Sequence, residues 1–432
     1  MMIRATKSIV KTGHVAARNF SKLMVATEAF PYDVTVSPAP SAPAVIAEAT
    51  LENGIKLITR EVNAPLVTLK FAIFGGSGAE TESQKGAAQL LATAAFQGNG
   101  DVSGLRIVRA LESLGATIAS SVDKEKIVYD VTVSPEGAQE ALDIVMRSIA
   151  SPPYAEYVLD ELKPDAQLAY DLYSTDYSSQ VSEMLYEAAY GEESTLGASV
   201  YGNLKKLSVS DVLAYRAKTF VSENIVITAN GLSTAALESM IAASADVPTA
   251  SSPPSSVACP YVGGDYKVRK DLNGNSYLGL AFPTPTGEAA KPYMVLQGML
   301  ESKCTSSFLS SYSSGGLLGI VAKGTPTEAT SMLEAAISDL KAVASGSAAE
   351  VDVIKKKVAL TKMLALEESP AVALMSASTQ GAAAATIADC RTVSSADVSA
   401  AAAAVLSAVP SYVVLGKTAG TPTYAAIAAL VK

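Results

Sequence analysis

Few side chains in this sequence could carry out acid–base, nucleophilic or metal chemistry. The 432 residues include one histidine, His14, and three widely separated cysteines, Cys259, Cys304 and Cys390. Because no histidine follows position 14, the rest of the chain cannot supply a His-based triad, a haem imidazole or a His-ligated zinc site. The cysteines form no C-x-x-C pair, which argues against a zinc knuckle or a disulfide framework. Carboxylate chemistry and binding without catalysis stay open.

The composition indicates a folded protein with an acidic body. Hydrophobic residues make up 49% of the chain and charged residues 17%, which suits a large buried core. The net charge is −9, but the first twenty residues carry four cations and no acid. Without that segment, 29 basic residues face 42 acidic residues, a net charge of −13. This balance argues against a nucleic-acid binder.

The first twenty residues, MMIRATKSIVKTGHVAARNF, are typical of a mitochondrial transit peptide. They contain Ser and Thr, lack acids and, as a helix, would have one apolar and one cationic side. The segment RNFS places an arginine shortly before a processing site and predicts cleavage between Phe20 and Ser21. Residues 21–39 would then form an N-terminal extension of a mitochondrial protein. An ordinary basic N-terminal helix is the alternative.

Three segments recur in the same order, which indicates a tandem duplication. Residues 131–145, VTVSPEGAQEALDIV, resemble residues 321–336, VAKGTPTEATSMLEAA: each has a strand, a turn with proline and an amphipathic helix. Long helices then begin near Ala155 and Ala349. Capped helices with a following strand come last, with Ser210 or Ser395 near the N-cap. The sequence predicts two domains, 40–245 and 262–432, joined by a Pro- and Ser-rich linker at 246–261.

The order of elements predicts the fold class. Turns at Asn53-Gly54 and Asn273-Gly274 favour a β-hairpin at the start of each domain, and long helices follow. We therefore predict an α+β fold with two tandem homologous domains, each a mixed β-sheet covered by helices on one side. Residues 398–416 lack charge and approach bilayer length. Pro410 and the repeat divide them into a helix and a core strand, so a membrane span is not expected.

The stretch KGAAQLLATAAFQGNG, residues 85–100, predicts a buried helix without reactive side chains. Apolar residues at helical spacing predict one buried face, namely Ala87, Leu90, Leu91, Ala94 and Ala95. Gln89, Ala92 and Thr93 lie away from the centre of that face.

The surrounding sequence resembles a peptidase family. FGGSGAETESQKGAAQLLATAAFQGN, followed by LESLGATIASSVDKEKIVYDVTV, is similar to the first domain of the pitrilysin-type metallopeptidases, whose helix carries the inverted zinc motif H-x-x-E-H. The resemblance places Gln89 and Thr93 at the two histidine positions and Ala92 at the general base. Gln and Thr are poor zinc ligands and alanine transfers no proton. It therefore implies no metal, no cofactor and no peptidase activity.

Acidic side chains lie where the family keeps its third ligand. They are Asp160, Glu161, Asp165 and Asp171. A solvated helix face is the simpler interpretation, because no partner ligands accompany them.

Within this family, residues 306–325, SSFLSSYSSGGLLGIVAKGT, and residues 158–172, VLDELKPDAQLAYDL, resemble the non-catalytic core subunits of mitochondrial respiratory complex III. The resemblance implies a structural subunit on the matrix side of the inner membrane, without a transmembrane helix. The implied partners are a core protein 1-like or processing-peptidase β-like subunit, cytochrome b, cytochrome c1 and the Rieske protein, in a dimeric complex.

Three alternatives stay open. The α-subunit of the mitochondrial processing peptidase presents presequences to a zinc-bearing partner and carries a long glycine-rich loop, whereas residues 302–319 contain only Gly315, Gly316 and Gly319. An active metallopeptidase would need the missing ligands. A matrix scaffold unrelated to respiration is the third alternative, because no residue pattern marks a quinone or haem site.

Overall fold

The chain consists of two successive α/β repeats. A computed structural model describes residues 45–99, 102–150, 156–202, 204, 207–244, 248, 259–303, 306–346, 351–368 and 393–432. The predicted transit peptide, its cleavage site at Phe20 and Ser21, residues 21–39, and most of the predicted linker lie outside these residues. The domain limits stay a prediction.

The first repeat contains a six-stranded mixed sheet and a separate two-stranded pair. The strands are β1 (Val45–Thr50), β2 (Lys56–Glu61), β3 (Val67–Phe74), the pair β4 (Gly98–Asn99) and β5 (Val102–Ser103), then β6 (Thr117–Val122), β7 (Lys126–Val133) and β8 (Ile225–Asn230). The spatial order is β1-β2-β8-β3-β7-β6, and β2 and β8 are the parallel neighbours. Alternate residues of β7 are fully buried, as expected for a strand with one face on a helical layer.

Seven described helices belong to the first repeat. They are α1 (Ala87–Thr93), α2 (Gly104–Ser113), α3 (Ala138–Ala150), α4 (Glu156–Thr175), α5 (Tyr177–Tyr190), α6 (Val209–Thr219) and α7 (Thr234–Ala243). The core of this repeat joins the strands to α1, α3 and α6. Ser208 caps α6 by accepting a hydrogen bond from the Asp211 amide, two residues before the predicted cap.

The second repeat has the same topology. Its strands are β9 (Gly264–Arg269), β10 (Ser276–Thr284), β11 (Ser306–Ser311), β12 (Gly316–Gly324) and β13 (Ser411–Gly416), and its helices are α8 (Lys291–Lys303), α9 (Pro326–Ala344), α10 (Val351–Glu368), α11 (Ser395–Ser407) and α12 (Tyr424–Val431). The order β11-β12-β10-β13-β9, with β13 and β9 parallel, matches the first sheet without β1. The predicted duplication and the mixed sheets are confirmed.

The uncharged run from Val398 to Gly416 forms part of α11 and the strand β13, as predicted. Every residue of β13 is buried in the second sheet. The cap of α11 is Ser394, one residue before the predicted position, in a capping box with Asp397. No helix in the described part of the chain has the length and apolar character needed to cross a membrane.

Of the two predicted β-hairpins, one forms and the other does not. The Asn53-Gly54 turn joins the antiparallel neighbours β1 and β2, so this hairpin is confirmed. Asn273 and Gly274 also form a turn with positive φ angles of 54° and 83°. The hairpin predicted there is wrong, because β13 inserts between β9 and β10 and pairs with both.

The prediction that helices cover one side of each sheet is wrong for the second sheet. Helices of the second repeat cover one face, and α5 of the first repeat covers the other. Val181, Leu185 and Tyr186 of α5 pack against strand residues that include Ala281 and Val413. A Cβ on Gly279 would lie 2.6 Å from the Val181 side chain, so the bare backbone of β10 admits the helix. The two repeats therefore share a buried apolar interface.

Candidate functional site

The loop before α1 is shaped by glycine and closed by Glu80. Gly76 has φ 52° and ψ −162°, a conformation that L side chains rarely adopt. The Glu80 carboxylate accepts hydrogen bonds from the backbone N–H groups of Gly86 (2.9 Å) and Ala88 (2.7 Å) at the start of α1. Gly86 precedes the helix and offers no side-chain cap. Glu80 therefore satisfies two N–H groups at the start of α1, on Gly86 and Ala88, from six and eight residues upstream.

Burial raises the pKa of Glu80 to about 7, against smaller lowering effects from the N–H groups of Ala88 and Gly86 and from Lys85. Because the folded-state pKa exceeds the usual 4.5, the folded protein binds this proton more tightly than the unfolded chain. The resulting stabilisation is complete below pH 4.5 and is lost as the pH rises through 7.

Glu80→Gln should remove this pH dependence. We expect the difference in free energy of unfolding between wild type and variant to shift by about 3 kcal/mol in favour of the variant between pH 4.5 and 8. Urea unfolding at several pH values measures it, and titration of other carboxylates cancels in the difference. A constant difference across this range contradicts the assignment.

The three positions that the resemblance aligns with the zinc motif lie together on α1. Gln89 is only 4% exposed, and its Nε2 donates to the Ala166 carbonyl of α4 at 2.9 Å. Thr93 Oγ1 donates to the Gln89 carbonyl at 3.0 Å, and Ala92 is buried. Among the described residues, Gln89 Oε1 has no hydrogen-bond partner. Of these three side chains, that of Gln89 joins α1 to α4, and that of Thr93 bonds within α1.

The predicted buried face of α1 is confirmed, but the helix is buried more widely than the sequence indicated. The five predicted apolar residues are buried, and so are Ala88, Gln89 and Ala92, which the pattern placed off the face or left out. The reason is the number of neighbours: α4, α6 and strands of the first sheet enclose this short helix. Periodicity identifies one face and cannot show that further elements cover the others.

The donor set at these positions does not fit a catalytic zinc ion. Such an ion takes three nitrogen or carboxylate ligands from the protein and needs a nearby base, whereas α1 offers an amide, a methyl group and a hydroxyl. The acids on α4 are exposed; Asp160 pairs with Lys163 at 2.8 Å, and Asp171 accepts from Gln167 at 3.1 Å. No group of three or more His, Cys, Asp and Glu side chains within the described ranges could hold a metal ion.

A second group of polar contacts joins the repeats at the turn between β6 and β7, residues Asp123–Glu125, here called the 123–125 turn. Lys124 is 1% exposed, and its Nζ donates to Glu183 of α5 and to the Ala198 carbonyl, each at 2.8 Å. The same ammonium lies 4.9 Å from the centre of the Tyr186 ring. A fully buried cation is thus paired, hydrogen-bonded and in contact with an aromatic face.

The 123–125 turn also contacts the turn between β11 and β12 in the second repeat. The Tyr312 hydroxyl donates to Asp123 at 2.8 Å, and the backbone N–H of Ser313 donates to Glu125 at 2.9 Å. Burial and the Asp123 charge raise the pKa of Tyr312, which keeps its hydroxyl protonated as a donor. We did not predict these contacts from the sequence, although Asp123–Glu125 and Tyr312–Ser313 belong to stretches that carry the family resemblance.

Two comparisons with protein families agree with this architecture. Residues 56–203 match the family described as Insulinase (Peptidase family M16), and residues 206–358 match the Peptidase M16 inactive domain. The chain belongs to peptidase family M16. The fold prediction is confirmed, since the two matches follow each other along the two repeats.

Several mitochondrial proteins resemble this chain at low sequence identity. Mitochondrial-processing peptidase subunit alpha of Solanum tuberosum is 24% identical over 257 residues, which cover 57% of this chain and 49% of that protein. This chain therefore spans about half the length of the potato subunit. Cytochrome b-c1 complex subunit 2 of Neurospora crassa is 24% identical over 349 residues, 73% of this chain and 75% of that protein. The human subunit 2 is 22% identical over 389 residues, 82% and 84%.

Proposed function

We propose that this family M16 chain is a non-catalytic core subunit of mitochondrial respiratory complex III, required for its assembly and stability. The observation that carries the proposal is the use of the family's zinc positions for packing. Gln89 bonds to the backbone of α4, and Ala92 and Thr93 offer neither a ligand nor a base. Two relatives that match most of their own length are named as subunit 2 of the cytochrome b-c1 complex.

The α-subunit of a mitochondrial processing peptidase is the second candidate, because relatives of similar identity and similar coverage bear that name. The shape of residues 306–319 favours the complex III subunit. These residues form a tight antiparallel hairpin in which Ser311 pairs with Gly316. Gly319 lies under the Phe308 ring, where a Cβ would come within 2.2 Å of the ring atoms. Residues 306–319, which the resemblance aligns with the glycine-rich substrate loop of the α-subunit, contain no long glycine-rich loop.

The proposal places the protein on the matrix side of the mitochondrial inner membrane, held there by other subunits. Its relatives are mitochondrial proteins by name. Its partners would be a peptidase-like subunit of the same fold, as in core protein 1 or the processing-peptidase β-subunit, together with cytochrome b, cytochrome c1 and the Rieske protein. Permanent subunits of this kind bury large apolar interfaces and lose stability when separated.

Depletion of the protein distinguishes the two candidates. We expect the amount of assembled complex III and the ubiquinol oxidation rate to fall in proportion, with turnover per assembled complex unchanged. Re-expression of wild type or of Gln89→Leu should restore both, because the Gln89 amide takes part in packing and not in chemistry. Intact complex III with accumulation of unprocessed matrix precursors would replace this proposal with the processing-peptidase function.

The purified chain should bind no stoichiometric zinc and cleave no presequence peptide, because the family's ligand and base positions hold Gln89, Ala92 and Thr93. Metal analysis after dialysis against a zinc buffer measures the first property, and a peptide-cleavage assay measures the second. A zinc-loaded processing peptidase serves as positive control. One tightly held zinc ion per chain that is lost in Gln89→Leu would contradict the non-catalytic assignment.

A further inference from the structure

The two sheets differ at one edge. The first sheet ends with β1, which pairs antiparallel with β2 from Val45 opposite Glu61 to Thr50 opposite Lys56. The second sheet ends with β9, the counterpart of β2, and the described residues contain no counterpart of β1. At the opposite edge the two sheets agree, because β6 and β11 are both terminal strands. The duplication therefore leaves a strand position beside β9 that the described part of the chain does not fill.

The exposure of the two equivalent strands reflects this difference. Both strands have a parallel neighbour on the inner side, which is β8 for β2 and β13 for β9. The central residues of β2, Leu57, Ile58 and Thr59, are buried. No residue of β9 is buried, and its central residues Tyr266 and Lys267 are exposed. The missing outer neighbour thus leaves β9 accessible to solvent.

The backbone of β9 presents unused hydrogen-bonding groups at this outer edge. The N–H of Lys270 donates to the Gly416 carbonyl of β13 at 3.2 Å. Because the N–H and C=O groups alternate in direction along a strand, those of Asp265, Lys267 and Arg269 point away from β13. The backbone groups of these three residues have no hydrogen-bond partner among the described residues. An edge of this kind is a template for a further strand.

The chain that leads into β9 does not cover this edge. In the first repeat a tight turn returns the chain from β1 to β2. Before β9, the N–H groups of Val262 and Gly263 both donate to the Ala189 carbonyl of α5, at 2.8 and 3.1 Å. The hydroxyl of Tyr261 donates to the Val409 carbonyl, just before β13, at 2.6 Å. This segment therefore approaches β9 from its β13 side and leaves the outer edge open.

We propose that an extended segment of another protein in the same assembly pairs antiparallel with the outer edge of β9, in the position that β1 occupies in the first repeat. The inference rests on the proposed function for the identity of that assembly. The added strand exchanges backbone hydrogen bonds with Asp265, Lys267 and Arg269. A second copy of β9 fits less well, because the antiparallel register that pairs Asp265 with Arg269 also places Lys267 opposite the same lysine of the other copy.

The side chains of β9 indicate the chemistry of the added strand. Lys267 and Arg269 lie on the side of the sheet that bears Tyr412, whose ring centre is 5.5 Å from the Lys267 Nζ. In the described part of the chain neither cation forms an ion pair. Directly opposite side chains of an antiparallel pair lie on one face, so acidic residues opposite Lys267 and Arg269 form cross-strand ion pairs. Val268 packs on the α5 side, which favours an apolar residue between the two acids.

Hydrogen exchange resolved to single residues tests the pairing. In the isolated chain the amides of Asp265, Lys267 and Arg269 should exchange as exposed backbone does, whereas those of Tyr266 and Val268, which face β13, should be protected. In the assembly purified from mitochondria through an affinity tag on this chain, exchange at the first three amides should be slower by at least ~100-fold.

Three results would overturn the inference. Protection of the three amides in the isolated monomer would assign the edge to a segment of this chain. Protection that appears only on dimerisation of the isolated chain would assign it to a second copy. Unchanged fast exchange in the purified assembly would leave the edge unpaired. The last result leaves the complex III proposal untouched, because depletion and the identity of the co-purifying subunits test that separately.

Lys267→Pro tests whether backbone bonds carry the protection. The variant lacks the central N–H of the outer edge, which faces away from β13, so the isolated chain should keep the wild-type urea midpoint. In the assembly, protection at Asp265 and Arg269 should be lost. Lys267→Met is the matched control, because it removes the charge and keeps the N–H, so both amides should stay protected. Retained protection in the proline variant would show that a covering element, and not a paired strand, shields the edge.

Discussion

Lys124→Met should lower the free energy of unfolding by about 3 kcal/mol. The lysine is buried in the 123–125 turn, where it pairs with Glu183 at 2.8 Å and donates to the Ala198 carbonyl. Methionine fills a similar volume but leaves the Glu183 carboxylate without its cation and the carbonyl without a donor. The loss is moderated because Glu183 is partly exposed to solvent. Urea unfolding monitored by circular dichroism measures the change.

Lys291→Met is the matched control for this loss. Lys291 also pairs with a glutamate at 2.8 Å, but Glu288 is exposed and lies three residues away on the surface, so the variant should lose less than about 1 kcal/mol. The double variant Lys124→Met/Glu183→Gln should lose less free energy of unfolding than the two single variants lose together. The reason is that removal of both partners leaves no unpaired charge. A wild-type midpoint for Lys124→Met would show that the buried pair of Lys124 and Glu183 does not stabilise the folded chain.

The periodic and local features of the fold could be predicted from the sequence. The duplication, the helix of residues 398–407 and the strand β13 follow from apolar spacing, capping residues and turn residues, each of which acts within about ten positions. The Asn273-Gly274 turn was located correctly for the same reason. The hairpin predicted at this turn does not form, because β13 lies between β9 and β10. This insertion depends on residues more than a hundred positions away.

The covering of the second sheet by α5 could not be predicted from apolar spacing, capping residues or turn residues. Val181, Leu185 and Ala189 recur every four residues and predict a buried face, and they are buried. The same spacing would equally suit a helix that packs on the sheet of its own repeat. The partner surface is decided by the small residues of β10, where Gly279 admits the helix, and by the tyrosines around the interface, such as Tyr190 donating to the Gly316 carbonyl.

The candidate site was found in part. The resemblance located Gln89, Ala92 and Thr93, but the bond from Gln89 to the Ala166 carbonyl joins residues 77 positions apart. Lys124 was missed because a charged turn usually faces solvent, and the charge of Lys124 is acceptable only where Glu183 and Ala198 supply acceptors. Local patterns therefore predict which helix carries the site and not what its side chains contact.

Gly76→Ala should destabilise the protein by about 4 kcal/mol or more, because it combines backbone strain with a steric clash. The residue has φ 52° and ψ −162°, a region that is largely restricted to glycine. A Cβ there would lie 2.4 Å from the Asp123 carbonyl oxygen and 2.5 Å from that of Lys124. Neither oxygen can move freely, since they accept the N–H groups of Ser77 and Gly78.

Gly115→Ala is the control without a steric clash. Gly115 has a similar positive φ of 66°, but a Cβ at this position would meet no atom within 4 Å, so only the conformational cost of about 1 kcal/mol applies. The excess loss in Gly76→Ala then contains the clash with the 123–125 turn and the additional backbone strain at Gly76. Because that turn bears Lys124 and the contact to Tyr312, its displacement should also weaken the junction between the repeats. Hydrogen exchange should report this as faster exchange at the Ser313 amide, which donates to Glu125. Equal losses in the two glycine variants would mean that the loop yields to the new methyl group, and that the junction does not depend on this close approach.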